Sequence, residues 1–174
     1  PHWPSWALPS TISSSMPDTV ESALPQRGTV LAFDYGLART GLAQGDLGLR
    51  LAVPLTTIPS RDEAGFFAAI AALVEEWQPV LLVVGRPGEA QDHEHGQRCE
   101  RFARRLHGRH RLPVVLVDEA FSSCVAERQL VEAGHRDWRR RKPVRDALAA
   151  CAILQSFFDG APWRDAVAST KEPA

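Results

Sequence analysis

Apolar positions along this chain follow two rhythms. Between residues 29 and 55 they form three short β-prone runs, at 29–34, 40–44 and 49–55. The joints carry Gly36 and the turn Gly45-Asp46-Leu47-Gly48, so an antiparallel meander is expected. Beyond residue 60, solid apolar blocks alternate with helical spacing. Ser60-Arg61-Asp62-Glu63 reads as a capping box. Phe66, Phe67, Ile70, Leu73, Val74 and Trp77 follow at the 3.6-residue period, and Pro79 stops that helix. A strand-length block at 80–84 ends in Gly85-Arg86-Pro87. Cys99, Phe102, Ala103 and Leu106 mark a second amphipathic helix, and a block at 114–117 ends in Asp118-Glu119. Ser122 or Ser123 caps a third helix closed by Gly134. Val144, Ala147, Leu148, Cys151, Leu154 and Phe158 define a fourth. The order β-β-β-α-β-α-β-α-α predicts an α/β fold. Its sheet is five-stranded and mixed, with the first three strands antiparallel and helices on both faces.

The flanks break this pattern. Residues 1–27 are rich in Pro and Ser without periodicity and are expected to be a disordered leader, and residues 161–174 a loose tail. The chain starts at Pro1 and its only methionine is Met16, so residues before Met16 are expected to be either added, non-native sequence or an overextended start. Residues 28–160 then form one domain.

Composition narrows the class. Of 174 residues, 44% are hydrophobic and 24% charged, which suits a globular domain with a sizeable core. The net charge of −1 supplies no global pull toward nucleic acid or membrane, so such binding must come from a local patch. Cys99, Cys124 and Cys151 lack metal-ligand spacing and read as free thiols of a reducing compartment. No apolar run reaches the length of a membrane span and no signal peptide is visible, so a cytoplasmic protein is expected.

The candidate chemistry lies in the acids. Asp34 ends the first strand, Asp118 and Glu119 end the last, and Asp146 lies in the first turn of the last helix. Ligands of α/β sheets collect beyond the carboxyl ends of parallel strands, where these acids would converge. Such acids repel one another unless Mg²⁺ or Mn²⁺, as one or two ions, neutralises them. Paired ions suit hydrolysis of a phosphodiester. Gly36 and Gly41 are expected to let the backbone turn tightly and leave Asp34 open on one side. Strand alternation sends one of Asp118 and Glu119 toward the site without saying which. Taken singly, each acid could equally be a cap or turn residue.

Two basic groups could serve a phosphate backbone. The densest is His135-Arg136-Asp137-Trp138-Arg139-Arg140-Arg141-Lys142, where Trp138 could stack on a base. The other comprises Arg101, Arg104, Arg105, His107, Arg109, His110 and Arg111, much of which must be the wet face of the second helix. The histidines show no metal-ligand spacing, and neither a Ser-His-Asp nor a Walker pattern occurs.

Four segments carry a family likeness. Phe33-Asp34-Tyr35-Gly36 with Arg39 and Gly41-Leu42-Ala43 resembles the first motif of the YqgF/RuvX family, ribonuclease H-like proteins described as Holliday junction resolvases or pre-16S rRNA nucleases. Val84-Gly85-Arg86-Pro87 is similar to its Gly-x-Pro turn, with Gly85 and Pro87 as the structural positions. Val117-Asp118-Glu119-Ala120-Phe121-Ser122-Ser123 is similar to its Asp-Glu-Arg-x-Ser-Thr element, and the segment from Asp146 to Ser156 resembles its last helix. The likeness spans about residues 28–160. It implies a ribonuclease H-like fold and a metal-dependent nuclease that matures the 5′ end of 16S ribosomal RNA. Asp34, Glu119 and Asp146 would be the catalytic, metal-binding acids, with Asp118 as an alternate or supporting one. The chain departs from the pattern at Ala120, where Arg is usual, at Ala38, where Lys is common, and at Ser123, where Thr is usual. Gly88-Glu89 and His93 stand where Asn and Gly are common. Arg39, Arg86, Ser122, Ser123, Trp138, Arg139, Arg140, Arg141 and Lys142 are then the candidate nucleic-acid contacts.

The leading expectation is a nuclease acting on a ribosomal RNA precursor or other structured nucleic acid, as a monomer or weak homodimer away from membranes. A DNA junction resolvase shares the chemistry but cuts two strands and generally needs a symmetric dimer. A non-catalytic nucleic-acid adaptor on the same scaffold fits the departures. An ATP-binding fold of the actin or sugar-kinase type also uses an Asp-x-Gly hairpin, but it normally needs two such domains, for which this chain is too short.

Overall fold

A computed structural model describes residues 24–88, 90–119 and 142–167. Among these, six strands form one mixed sheet and three helices cover it. The chain order is β1 (Thr29–Asp34), β2 (Arg39–Asp46), β3 (Leu51–Pro59), α1 (Glu63–Trp77), β4 (Leu81–Arg86), α2 (His93–His110), β5 (Val114–Asp118), α3 (Lys142–Phe158) and β6 (Trp163–Asp165). Across the sheet the strands run β3-β2-β1-β4-β5-β6. β1, β2 and β3 form the expected antiparallel meander, whereas β1, β4 and β5 are mutually parallel. The carboxyl ends of these parallel strands therefore share one rim.

Strand alternation sorts the core into two layers. Leu31, Phe33, Leu82, Val84, Val114 and Leu116 point to the face covered by α1 and α2, where they meet Phe66, Phe67, Ile70, Phe102 and Leu106. Val30, Ala32, Leu81, Val83, Val115 and Val117 point to the other face, where α3 brings Ala150, Cys151, Ile153, Leu154 and Phe158. Phe102 packs edge-on against Phe33 at 5.7 Å and stacks on Tyr35 at 4.5 Å. Each such aromatic pair contributes about 0.5–1.5 kcal/mol beyond its buried area.

Several boundaries differ from the sequence reading. The third strand begins at Leu51 and runs on to Pro59. The turn before it is set by the Asp46 carboxylate, which accepts from the backbone N–H groups of Gly48 (2.8 Å) and Leu49 (2.9 Å), and Arg50 adopts a positive φ of 55°. Pairing resumes with Leu51 opposite Asp46. Pro54 and Pro59 are tolerated because β3 is an edge strand, with a register shift at Leu42/Ala43 beside Pro54. Ser60 is not the cap of α1. Its hydroxyl pairs with Thr40 Oγ1 at 2.7 Å, and the cap is Asp62, whose carboxylate accepts from Gly65 N.

The segment after residue 160 is a correction to the expected loose tail. Trp163–Asp165 adds β6 antiparallel to β5, and Ala166 is buried with its N–H on Val114 O. A three-residue strand is too short to show a period. The expected third helix, capped by Ser122 or Ser123, and nearly all of the expected leader lie outside the described residues.

α3 is fastened to the far edge of the sheet. Gln155 accepts from Ala52 N and donates to Arg50 O, both at 3.2 Å, while Arg50 donates to Phe158 O. At its other end, Thr57 donates to Pro143 O. These bonds seat the first turn of α3, with Asp146, over β2.

Candidate functional site

The rim gathers acids from three elements. Asp34 closes β1, on the same side of the pleat as Val30 and Ala32. Glu119 follows β5 in phase with Val115 and Val117, so it lies on that same side. Its Oε1 lies 2.9 Å from where a Cβ on Gly85 would be. Asp146 arrives on the first turn of α3, above Gly41, which pairs across the ladder with Asp34. A Cβ at Gly41 would lie 1.9 Å from the Asp146 carbonyl oxygen. Gly36 lies in the short connection between β1 and β2 and Gly41 within β2, and neither uses a positive φ. What these positions require is room, for the Arg39 carbonyl beside Gly36 and for the α3 backbone above Gly41.

Electrostatics register the convergence. Burial, followed by the charges of Glu119 and Asp146, pushes the Asp34 carboxyl from 3.8 to about 7. Glu119 is also raised, by burial and by Asp118, against the lowering influence of His95. Asp118 lies on the other side of the pleat, in phase with Leu116, where it lines a cavity of about 400 Å³ with Arg86, Trp163 and Arg164. Asp118 and Glu119 thus lie on opposite sides of the pleat, Glu119 within the field of Asp34. Asp146 is held by Arg39, whose Nε donates to Oδ2 at 3.0 Å.

Of the expected basic contacts, Arg39 stands at the rim and remains about a third exposed. Arg86 turns inward instead, donating from Nε to Glu100 at 2.9 Å with only 12% of its side chain exposed. Its neighbour Pro87 is buried. Lys142 opens α3. Ser122, Ser123, Trp138, Arg139, Arg140 and Arg141 lie outside the described residues.

Three flanking groups were not singled out as site residues from the sequence. Thr40 is fully buried, and its hydroxyl meets Ser60 and the Gly36 N–H. His95 and Cys99, one helical turn apart on α2, bring Nε2 and Sγ to 3.7 Å. Burial, with the charges of Glu119 and Asp34, pushes the Cys99 thiol up to about 12, so it stays neutral. Glu100 also accepts from Arg164 of β6, joining α2, β4 and β6. The His95–Cys99 spacing was visible in the sequence, but its place beside Glu119 depends on the crossover from β4.

The donors at the rim are hard oxygens in excess of positive charge, and burial together with that excess disfavours the Asp34 carboxylate. This chemistry fits a divalent cation. Among the described residues no three His, Cys, Asp or Glu side chains form a ready-made ligand set, consistent with Asp146 being engaged by Arg39.

Residues 28–160 match the family model described as RuvX, Holliday junction resolvase. The chain belongs to the RuvX family. A protein of Methylobacillus flagellatus named "Putative pre-16S rRNA nuclease" is 50% identical over 142 residues, covering 80% of this chain and 97% of that protein. Proteins with the same name from Nitrosomonas eutropha and Neisseria meningitidis serogroup B are 46% and 49% identical, covering 83% and 78% of this chain and 96% and 91% of their own lengths. Among solved structures, Thermus thermophilus RuvC in complex with a Holliday junction substrate aligns with a TM-score of 0.53 at 14% identity, covering 79% of this chain and 99% of that one. That likeness shows the ribonuclease H-like fold that this RuvX-family chain shares with it. Among the described residues no helix is long and apolar enough to cross a membrane.

Proposed function

We propose that this RuvX-family protein is a metal-dependent nuclease that hydrolyses phosphodiester bonds in structured RNA, processing the 5′ end of the 16S ribosomal RNA precursor in the cytoplasm. The carrying observation is the partly buried Asp34 carboxyl, pushed to about 7 by burial and then by acids from two other elements. Proteins must offset such repulsion, and a catalytic cation is the device that uses it. Asp34, Glu119 and Asp146 would hold one or two Mg²⁺ or Mn²⁺ ions, which when bound supply an activated water and stabilise the leaving oxygen. Asp34 holds a proton until positive charge displaces it. Arg39 keeps Asp146 in place, and its guanidinium matches a phosphate oxygen as well as a carboxylate. Glu119 reaches over Gly85, where a side chain would collide with its carboxylate. Residues 139–142, together with Ser122, Ser123 and Trp138, belong to the proposed RNA contacts, and the protein acts as a monomer or weak homodimer.

The family description favours one second reading, cleavage of a four-way DNA junction. A single experiment addresses both. An RNA spanning the 5′ end of the 16S precursor and a four-way DNA junction are each incubated with the protein and Mn²⁺. The RNA is cleaved and the junction is not. Asp34→Asn reduces cleavage on the order of a thousandfold while RNA binding persists. Metal-dependent cleavage surviving in Asp34→Asn, or absent from the wild type, overturns the assignment.

A further inference from the structure

We infer that the groove between α1 and α2 is a track for the phosphate backbone of the nucleic-acid strand, leading away from the acidic rim. The inference rests on the nucleic-acid part of the proposed function and adds a binding face that the acids do not reveal. The groove encloses about 230 Å³, and its walls include Tyr35, Phe66, Phe102, Arg98, Arg101 and Arg105. Its head is at the rim, because Tyr35 directly follows Asp34 and is fixed there by stacking on Phe102. From that point it follows α2, which starts at the carboxyl end of β4 and runs back across the sheet.

Charge on this face runs against that of the chain. The whole protein has a net charge of −1, yet α2 carries five arginines (98, 101, 104, 105 and 109) against Glu94 and Glu100. Arg98, Arg101 and Arg105 recur at helical spacing on one side. Arg98 is held by Glu94 and Arg105 by Glu63, and each leaves more than a third of its side chain in solvent. Arg101 is exposed and, among the described residues, has no carboxylate within ion-pair distance. Arg105 and Arg109 lie over the Phe67 ring at 4.5 and 4.0 Å, which stiffens the lower end of the stripe. A guanidinium has five donors, so one carboxylate partner leaves others for phosphate. From Arg98 to Arg109 the helix rises about 16 Å, enough to follow several consecutive phosphates of one strand. An acidic polypeptide would find the same charge, but continuity with a rim suited to phosphodiester chemistry favours nucleic acid.

The test uses the full chain carrying Asp34→Asn, so that RNA survives the measurement. Binding of a structured precursor-rRNA fragment is titrated across salt concentrations. Adding Arg98→Gln, Arg101→Gln and Arg105→Gln weakens binding about tenfold to a hundredfold and lowers the log–log salt slope by about two to three. The triple Lys replacement at the same positions keeps most of that slope. Circular dichroism and melting confirm that each variant is folded. Parent-like affinity and slope in the folded Gln variant overturn the groove, as does a Lys variant that loses the slope equally. Polyglutamate that binds this face more tightly than RNA does also overturns it. RNA binding absent from the parent removes both the groove and the nuclease reading. Absent cleavage by the wild type, with the salt effect intact, removes only the catalytic assignment.

Discussion

The two faces of this sheet are built from the same strands, yet they carry opposite chemistry. On the α3 side, the pleat brings Asp34 and Glu119 together, and α3 descends close enough to add Asp146. On the α1–α2 side, the next residue in phase after Phe33 is Tyr35, and the helices offer aromatic rings fringed by arginine. Asp34, the last residue of β1, and Tyr35, which follows it, therefore face opposite sides of the sheet. Alternation along a strand divides one rim into an anionic side and a cationic side, each beside the other. A phosphodiester needs both, since its charge must be attracted by one and its bond attacked at the other.

The sharpest way to break this division is at the end of β5, where two acids sit in succession on opposite sides. Glu119→Gln is expected to reduce metal-dependent cleavage on the order of a thousandfold, whereas Asp118→Asn costs less than about tenfold. Cleavage rates at saturating Mn²⁺ decide between them. Equal losses would mean that the pleat does not separate the two roles.

A smaller effect, on stability as well as rate, is expected at Gly41. A methyl group there would meet the Asp146 carbonyl far inside contact distance, and the obstacle is backbone. The first turn of α3 must lift, although Gln155, Arg50 and Thr57 hold the helix down. Overpacking of this kind costs about 1–3 kcal/mol. Urea denaturation should show that loss for Gly41→Ala. Cleavage should fall alongside it, because Asp146 moves away from Asp34. A variant with wild-type stability would show that the approach of α3 is looser than it looks.

Much of this arrangement is legible in the amino-acid sequence. Solid apolar blocks ending in Asp34 and in Asp118-Glu119 marked parallel strands with acids at their tips, because a buried strand tolerates charge only at its end. The Asp118/Glu119 choice was not legible, since it depends on the phase in which β5 leaves the sheet. Ser60 matched a capping box, yet tertiary pairing with Thr40 claimed its hydroxyl, and the stronger acceptor Asp62 took the cap. The α2 arginines looked like an ordinary wet face because their spacing shows only that they share a side, not that α1 and Tyr35 wall that side. The pairing of Arg86 with Glu100 is not visible in the sequence either, because the partner lies fourteen residues away and only the folded crossover brings it near.

The most gradual expected effect concerns pH and comes from Asp34 itself. Its carboxyl is raised from 3.8 to about 7 in the folded protein, so between those values the native state binds a proton that the unfolded chain has released. Stability from this group is therefore fully present below about pH 4 and is lost as pH rises toward 7, with a limiting slope of about 1.4 kcal/mol per pH unit. Glu119, also raised, acts in the same direction, whereas His110, lowered by burial and by Arg109, acts in the opposite one. Comparing wild type with Asp34→Asn isolates the Asp34 share, on the order of 4 kcal/mol across that range. Without divalent ion, the urea midpoint of the wild type should fall relative to the variant between pH 4 and pH 7. Adding Mn²⁺ at pH 7.5 should then recover stability in the wild type more than in the variant, because only the wild type carries the carboxylate charge that the cation relieves. Parallel pH profiles in the two proteins would show that Asp34 ionises freely in the fold, and that the acids on the α3 side do not press on one another as their placement requires.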